Sequence, residues 1–539
     1  MLENLLSGWR AKLFVLVLLG FAATDFVITM TLSAADATQH ALENPFLRPW
    51  LGEARVSVTL GLLLLLALVF LKGFVEAIGF AAAVAIPYLI LNAIVLARGA
   101  VEIARTPEVI QNWQLSLNVH GDWSALLLVS VLIFPKLALG LSGFETGVSV
   151  MPLVSGRGDA KAVPLERIQA TKRLLAAAAL LMSVMLIASS FVTTLLIPPE
   201  DYRIGGPASG RAIAYLAHKL LGNAFGTVYD FSTIAILWFA GASALAGLLN
   251  LVPRYLPRFG MAPQWVAYRR PLVIVLFIIT AIVTLVFGAS VEAQSGAYAT
   301  GVLVLILSAA VAVALELWRE SRSRRLSVYF WLVSAVFLFT LMDNVIERSD
   351  GVIIAGCFIV GVLSLSGLSR WRRATELRVT ELRFVDGLSR GLCSSLVGKK
   401  VNLIPIRTLR PESIARKAAE IRKYYTVQGP LAFVHVRLLD NRSEFLGAVK
   451  LSVKKDQENY VIEASEAVAI ANTIAYLSEV IDPVSIFIGL SRQNPMAQAF
   501  RYLLWGEGET GLMLYTILVR YWSWTPEEDV RPLIFLMSD

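Results

Sequence analysis

The sequence predicts an all-α polytopic membrane protein of about ten membrane-crossing helices that carries a C-terminal cytosolic α/β domain. Three observations predict it. Of 539 residues, 56% are hydrophobic and only 16% charged, with a mean hydropathy of +0.66, whereas a soluble globular chain is about a quarter charged. Ten apolar stretches reach, or nearly reach, the length of a membrane span. After residue 370 the texture changes to short apolar runs that alternate with amphipathic segments. These features exclude a soluble enzyme and divide the chain into a membrane domain, 1–370, and a cytosolic domain, 371–539.

A helix crosses the hydrocarbon core in about 20 residues. The stretches lie at about 12–34, 56–72, 74–97, 124–150, 173–197, 229–252, 271–289, 294–318, 326–343 and 351–369. Two divisions are tight: Leu71-Lys72-Gly73 separates the second stretch from the third, and Ser290 to Glu292 the seventh from the eighth. The first stretch contains acidic and polar residues and is followed by no small-residue cleavage site, so it reads as a retained helix and not a removable leader.

The formal charge of +8 resembles a nucleic-acid signature, but its distribution marks topology. Sixteen Lys and Arg residues fall in one alternate set of loops: the N-terminal flank, Lys72, 155–173, 251–270 and 319–325. Eight fall in the other set. By the positive-inside rule the first set is cytoplasmic. Both termini are then inside a cytoplasmic membrane, and the exit sequence Arg370-Trp371-Arg372-Arg373 agrees. No nucleic-acid partner is expected.

In the tail, strand-like runs at Val401 to Pro405, Leu431 to Val436 and Val484 to Leu490 alternate with helical stretches at Pro411 to Tyr425, Val468 to Ile481 and Pro495 to Trp505. That alternation reads as an α/β domain. It contains no phosphate loop, no GxGxxG and no metal-ligand cluster, so a regulatory and a structural role both stay open. The two cysteines, Cys357 and Cys393, exclude a disulfide framework or cysteine cluster, and no cofactor is expected. No nucleophile-plus-base arrangement occurs, so catalysis has no support, and the four histidines show no ligand spacing.

Polar residues inside apolar spans are costly and mark functional candidates. Asp25, Thr29 and Ser33 lie at i, i+4 and i+8, which aligns a carboxylate and two hydroxyls on one helix face, with Asp36 further along. Hard oxygens at that spacing suit an alkali cation or a proton relay. The plain alternative is that the hydroxyls bond back to their own helix and Asp25 pairs with a distant base. In the fourth stretch Pro135, Gly140, Gly143 and Gly147 weaken the helix around Ser142 and Glu145, the pattern of a discontinuous transporter helix. Packing glycines are the alternative. Lys136 lies about a dozen residues into that stretch, roughly 18 Å deep, and must find a partner or shed its proton. Lys136, Glu145 and Asp36 are the candidates for carrying a coupled charge. Tyr88, Asn92, Asn250 and Tyr298 either line the path or bond between helices, and packing is the reading preferred for each.

Together, Asp25-Phe26-Val27-Ile28-Thr29 with Ser33, Leu71-Lys72-Gly73-Phe74-Val75-Glu76, Ser142-Gly143-Phe144-Glu145 and Ser295-Gly296-Ala297-Tyr298-Ala299-Thr300-Gly301-Val302 resemble the amino acid-polyamine-organocation (APC) superfamily. The resemblance is closest to the KimA-like branch of the KUP potassium permeases and spans most of residues 10–370. It implies a LeuT-like inverted-repeat bundle and proton-coupled potassium import. It assigns Asp25, Thr29, Ser33, Ser142, Gly143 and Glu145 to the cation path. Lys136 and Phe144 depart from the branch pattern, which keeps an amino acid permease of the same fold as an alternative; a non-transporting membrane sensor is a second. Only 24 residues precede Asp25, so the first two family helices have no counterpart, and a reading frame that starts upstream of Met1 is expected. The expected partners are the lipid bilayer, a small ion or amino acid as cargo, protons, a second copy of the chain and a small-molecule regulator of the tail.

Overall fold

The computed structural model describes residues 9–73, 77–118, 123–134, 163–203, 205–260, 263–319, 324–374, 379, 381–438, 448–467, 470–490, 494, 511–522 and 532–538. The chain divides into two compact units. One is built mainly of Val17–Arg254 and Gln264–Val360; the other comprises Gly361–Asp539 with Gly8–Leu16 and Tyr255–Pro263.

The helices in chain order are α1 (Trp9–Glu43), α2 (Arg55–Leu71), α3 (Ala77–Arg105), α4 (Glu108–Asn118), α5 (Trp123–Ile133), α6 (Val163–Leu196), α7 (Ala212–Gly260), α8 (Arg269–Val286), α9 (Val291–Arg319), α10 (Arg324–Glu347) and α11 (Asp350–Ala374). Among the described residues, eight of them are long and apolar enough to cross a membrane: α1, α3 and α6 to α11. α2, at 17 residues, and α5, at 11, are shorter apolar helices; most of the expected fourth span, from residue 135 on, lies outside the described residues. This is the architecture of a polytopic membrane protein. The expected spans correspond to these helices, several of which run beyond them: α1 to Glu43, α3 to Arg105, α6 back to Val163 and α7 over Ala212–Gly260. α1 continues past residue 34 to Glu43 because its polar residues there find protein partners, such as the Thr59 hydroxyl donating to Thr38 at 2.9 Å.

Each outer helix keeps one apolar face uncovered. Ile86, Ile90 and Ile94 of α3 recur at four-residue spacing and are exposed, as are Ile274, Ile278, Ile282 and Val286 of α8. Water would penalise continuous apolar stripes of that length, whereas lipid accepts them because the backbone is satisfied within the helix. The opposite face of α8, with Leu272, Leu276, Thr280 and Thr284, is buried where α8 packs on α2. α9 packs along α10, and α3 along α6. The turn from α8 to α9 is tight: Gly288 and Ala289 follow one another at φ +57° and +56°.

α1 is the interior helix. Most of its span is buried, as is half of the α9 span, whereas little of α6 is buried. Four helices meet α1 closely. A Cβ on Gly20 would lie 2.6 Å from Ile359 of α11, one on Gly247 of α7 would lie 2.9 Å from the Phe26 ring, and one on Gly301 of α9 would lie 2.9 Å from the Asp25 Cβ; α2 meets it through Thr59. Small residues at such crossings let backbones approach in the membrane. α7 is interrupted at Gly222 (φ 84°, ψ 168°), a conformation open to glycine alone.

The second unit carries a seven-stranded sheet: β1 (Glu381–Phe384), β2 (Asn402–Pro405), β3 (Leu431–Leu438), β4 (Ala448–Asp456), β5 (Asn459–Ala467), β6 (Ser485–Leu490) and β7 (Leu533–Ser538), ordered β1-β4-β5-β3-β2-β6-β7. All neighbours are parallel except β4 and β5, an antiparallel hairpin turned at Gln457 (φ 54°). Because strand side chains alternate between faces, β2, β3 and β6 feed two layers at once. Leu403, Val434 and Ile488 join Ile474, Leu477 and Leu518 of the helices α14 (Ile470–Ile481) and α15 (Gly511–Trp522). Ile404, Phe433 and Phe487 join Ile414 and Ile421 of α13 (Pro411–Tyr424). Strands buried on both faces need near-continuous apolar sequence, which Leu431-Ala432-Phe433-Val434 supplies. A further helix, α12 (Gly387–Ser394), is capped by Asp386, whose Oδ1 accepts the Ser389 N–H at 2.6 Å. That bond holds the carboxyl below the usual carboxylate range. The sequence locates β2, β3, β6, α13 and α14; the 495–505 helix lies outside the described residues.

Phe433→Ala empties the centre of the α13-facing layer and is expected to destabilise the α/β unit by about 3–5 kcal/mol. Hydrogen exchange on the full-length protein checks this: protection across β2, β3 and β6 should fall, and unchanged protection refutes the two-layer core.

Candidate functional site

The polar residues of α1 form one line. Asp25 is fully buried where Gly301 of α9 crosses it. One turn on, the Thr29 hydroxyl donates to the Asp25 carbonyl at 2.8 Å. Ser33 is buried a further turn on, and Asp36, partly buried, has His40 and Arg55 as neighbours. Eleven residues separate Asp25 from Asp36, about three turns, so both carboxylates lie on the same side of the helix. Thr24 and Thr38 also donate to carbonyls of their own helix. The plain alternative thus accounts for the threonine donors. It leaves their lone pairs, since a hydroxyl that donates one bond still accepts two.

A second polar set lies where α9 begins. Gln294 Oε1 accepts from the Thr31 hydroxyl at 2.5 Å, which ties α9 to α1. Asn344 of α10 donates to the Thr300 hydroxyl at 2.9 Å, and Arg348 donates to the Ser295 hydroxyl and the Glu292 carbonyl. The run Gln294 to Leu303 is buried throughout. Gly351 of α11 completes the crossing, as a Cβ there would lie 2.3 Å from the Thr300 hydroxyl.

A third set was not legible in the sequence. Asp230 of α7, fully buried, accepts from Asn44 at 2.8 Å and lies 3.0 Å from His40 Nδ1 and 2.9 Å from His218 Nε2. Beside it Arg211 pairs with Glu43 at 3.3 Å, and Gln39 donates to the Ser209 carbonyl at 3.0 Å. His40 and His218 are 178 residues apart in sequence and each faces Asp230, so no local spacing could reveal the set. Among the described residues no group of three His, Cys, Asp or Glu is arranged to hold a metal ion.

Asn92 bonds between helices as expected: it accepts the Tyr229 hydroxyl at 3.0 Å and donates to the Tyr88 carbonyl. Tyr298 is buried in a core cluster with Ile28 and Val302. Lys136, Ser142, Gly143 and Glu145 lie outside the described residues. The site brings together Asp25, Thr29, Ser33 and Asp36 on α1, with α9 crossing at Asp25 and the Asp230 cluster beyond Asp36 along the helix. No family model matches this chain, and no curated protein does.

The close crossing at Gly301 gives a direct test. Gly301→Val places new carbon on the Asp25 backbone and is expected to lower the thermal midpoint and the folded yield of the purified protein. Gly356→Ala on α11, with open space around it, is expected to leave both unchanged. Equal tolerance of the two substitutions refutes the α1–α9 contact.

Proposed function

We propose that the chain is a secondary active transporter that couples uptake of potassium, or a similar monovalent cation, to protons across the cytoplasmic membrane. The observation that carries this reading is the line Asp25, Thr29, Ser33 and Asp36 along the most buried helix of a polytopic bundle. Carboxylates at that depth are costly to bury and mark candidate ion or proton pathways. A dehydrated alkali cation needs hard oxygen ligands, and the hydroxyl lone pairs of Thr29 and Ser33 beside the Asp25 carboxylate supply that chemistry. The APC-like motifs, Ser142 and Glu145 among them, support the same reading, and alternating access would follow from movement of the helices that cross α1.

An amino acid permease of the same kind is the second reading. Lys136 favours it, because a charged ammonium within the fourth span would repel a cation. In that case Glu145 takes the substrate amine and free backbone N–H groups take its carboxylate.

Rescue of a potassium-uptake-deficient bacterium at low external potassium tests the first reading. Rescue is expected, and Asp25→Asn should abolish it while the variant protein still reaches the membrane. Rescue that survives Asp25→Asn sinks the assignment. Uptake of radiolabelled amino acid in proteoliposomes without potassium uptake transfers the conclusion to the permease.

A further inference from the structure

Four arginines stand where two of the uncovered apolar faces begin. α8 opens with Arg269 and Arg270, and α10 with Arg324 and Arg325. All four are exposed, and none makes a hydrogen bond or ion pair among the described residues. Neither helix has an acidic residue in its first turn. On α8 the row Arg270, Ile274, Ile278, Ile282 and Val286 advances four residues at a time, and on α10 so does the row Arg324, Val328, Leu332 and Val336; every apolar member is exposed. Residues four apart lie one above the other on a helix, so each row is a continuous strip, cationic at its first residue and apolar for the rest. The strip of α3 ends differently: Arg98, four residues past Ile94, is paired with Glu102 at 2.7 Å.

The depth of the α10 arginines is fixed by a bond to the neighbouring helix. Ser327 donates to the Ala314 carbonyl of α9 at 2.8 Å. From that bond, Arg324 lies three residues and Trp318 of α9 four residues nearer the α9–α10 turn, about 5 and 6 Å along the helices. Trp318 is exposed and shares the level of the arginines; Tyr268, also exposed, directly precedes Arg269. Tryptophan and tyrosine favour the level of the lipid headgroups. Glu316 of α9 is half-buried and pairs with neither Arg324 nor Arg325 among the described residues. α8 and α10 start on one side of the membrane, because α9 between them crosses it once. Uneven loop charge accounts for the sign of these residues. It does not account for their place at the head of an exposed apolar row, beside an aromatic ring, with no acid to pair them.

We propose that these two faces bind anionic phospholipid, with its phosphate on the arginines and an acyl chain along the apolar row. A guanidinium donates to two phosphate oxygens at once, which fixes the headgroup. The row from Val328 to Val336 is about 12 Å long, most of the hydrocarbon depth of one leaflet, which is about 15 Å. A soluble phosphate would leave those rows uncovered, so the occupant is a lipid. A zwitterionic lipid carries its own cation beside the phosphate and gains less from unpaired arginines. The inference needs only that α8 and α10 cross the membrane and does not rest on the transporter reading.

Native mass spectrometry of the full-length protein, titrated in detergent with phosphatidylglycerol or phosphatidylcholine, counts the lipids retained. Phosphatidylglycerol is expected to be preferred, and the preference at each face should fall by about fivefold per arginine replaced in Arg324→Gln/Arg325→Gln and in Arg269→Gln/Arg270→Gln. Arg324→Lys/Arg325→Lys keeps the charge and should keep the preference. Equal retention of the two lipids, or a preference that survives all four glutamine substitutions, overturns the proposal, and displacement of the lipid by inorganic phosphate overturns the lipid as occupant. Location has its own readout. Phosphatidylglycerol with brominated chains should quench part of the tryptophan fluorescence, and Trp318→Phe should remove that part. Quenching that Trp318→Phe leaves unchanged overturns the α10 site, and this measurement decides alone if a glutamine variant does not fold.

Discussion

Everything in the helical unit depends on how the polar side of α1 is accommodated. A helix with Asp25, Thr29, Thr31, Ser33 and Asp36 cannot face lipid, because each polar group would lose its water without a replacement. The bundle encloses it. Gly20, Gly247 and Gly301 mark where neighbouring helices come close enough to leave no room for lipid or a side chain between them. The isoleucine stripes of α3 and α8 are the complement of the same constraint: with the polar residues gathered inside, what remains outside is apolar.

The α/β unit solves the burial problem by alternation. Each of β2, β3 and β6 sends successive side chains to opposite layers, so four apolar residues in a row are needed where a half-exposed strand needs two. The β4–β5 hairpin is the exception. Its sequence, with Lys450, Ser452 and Lys454 on one side of β4 and Val449, Leu451 and Val453 on the other, is buried on one face only. It therefore sits naturally as the antiparallel part of an otherwise parallel sheet.

Much of this was legible in the sequence because apolar length is a local property. Spans such as 271–289 and 326–343 needed only their own residues to be seen, and so did the strands of the tail that are apolar throughout. What could not be read was set by distant residues. The helical stretch Asp36–Glu43 reads as a loop until α2 and α7 supply its partners. The β4–β5 hairpin, whose apolar residues alternate with polar ones, has no continuous apolar run to mark it. In the candidate site, Asp25, Thr29 and Ser33 were legible through their four-residue spacing, while Asp230 with His40 and His218 was not. Its members come from two helices and both sides of a break, and Gly222 looks like any other glycine within an apolar run.

The break at Gly222 also arranges an electric field. The ten residues Ala212 to Leu221 form a short helix of their own, whose aligned peptide dipoles leave a partial negative charge at its carbonyl end. His218 occupies the last turn of that helix, the place where a cation gains most, about 0.3–1 kcal/mol in exposed examples. An uninterrupted helix would have spread those carbonyls into its next turn and cancelled that end charge. By stopping the helix at residue 221, the glycine creates a negative pole within α7 and makes a change of backbone direction also a local electric field.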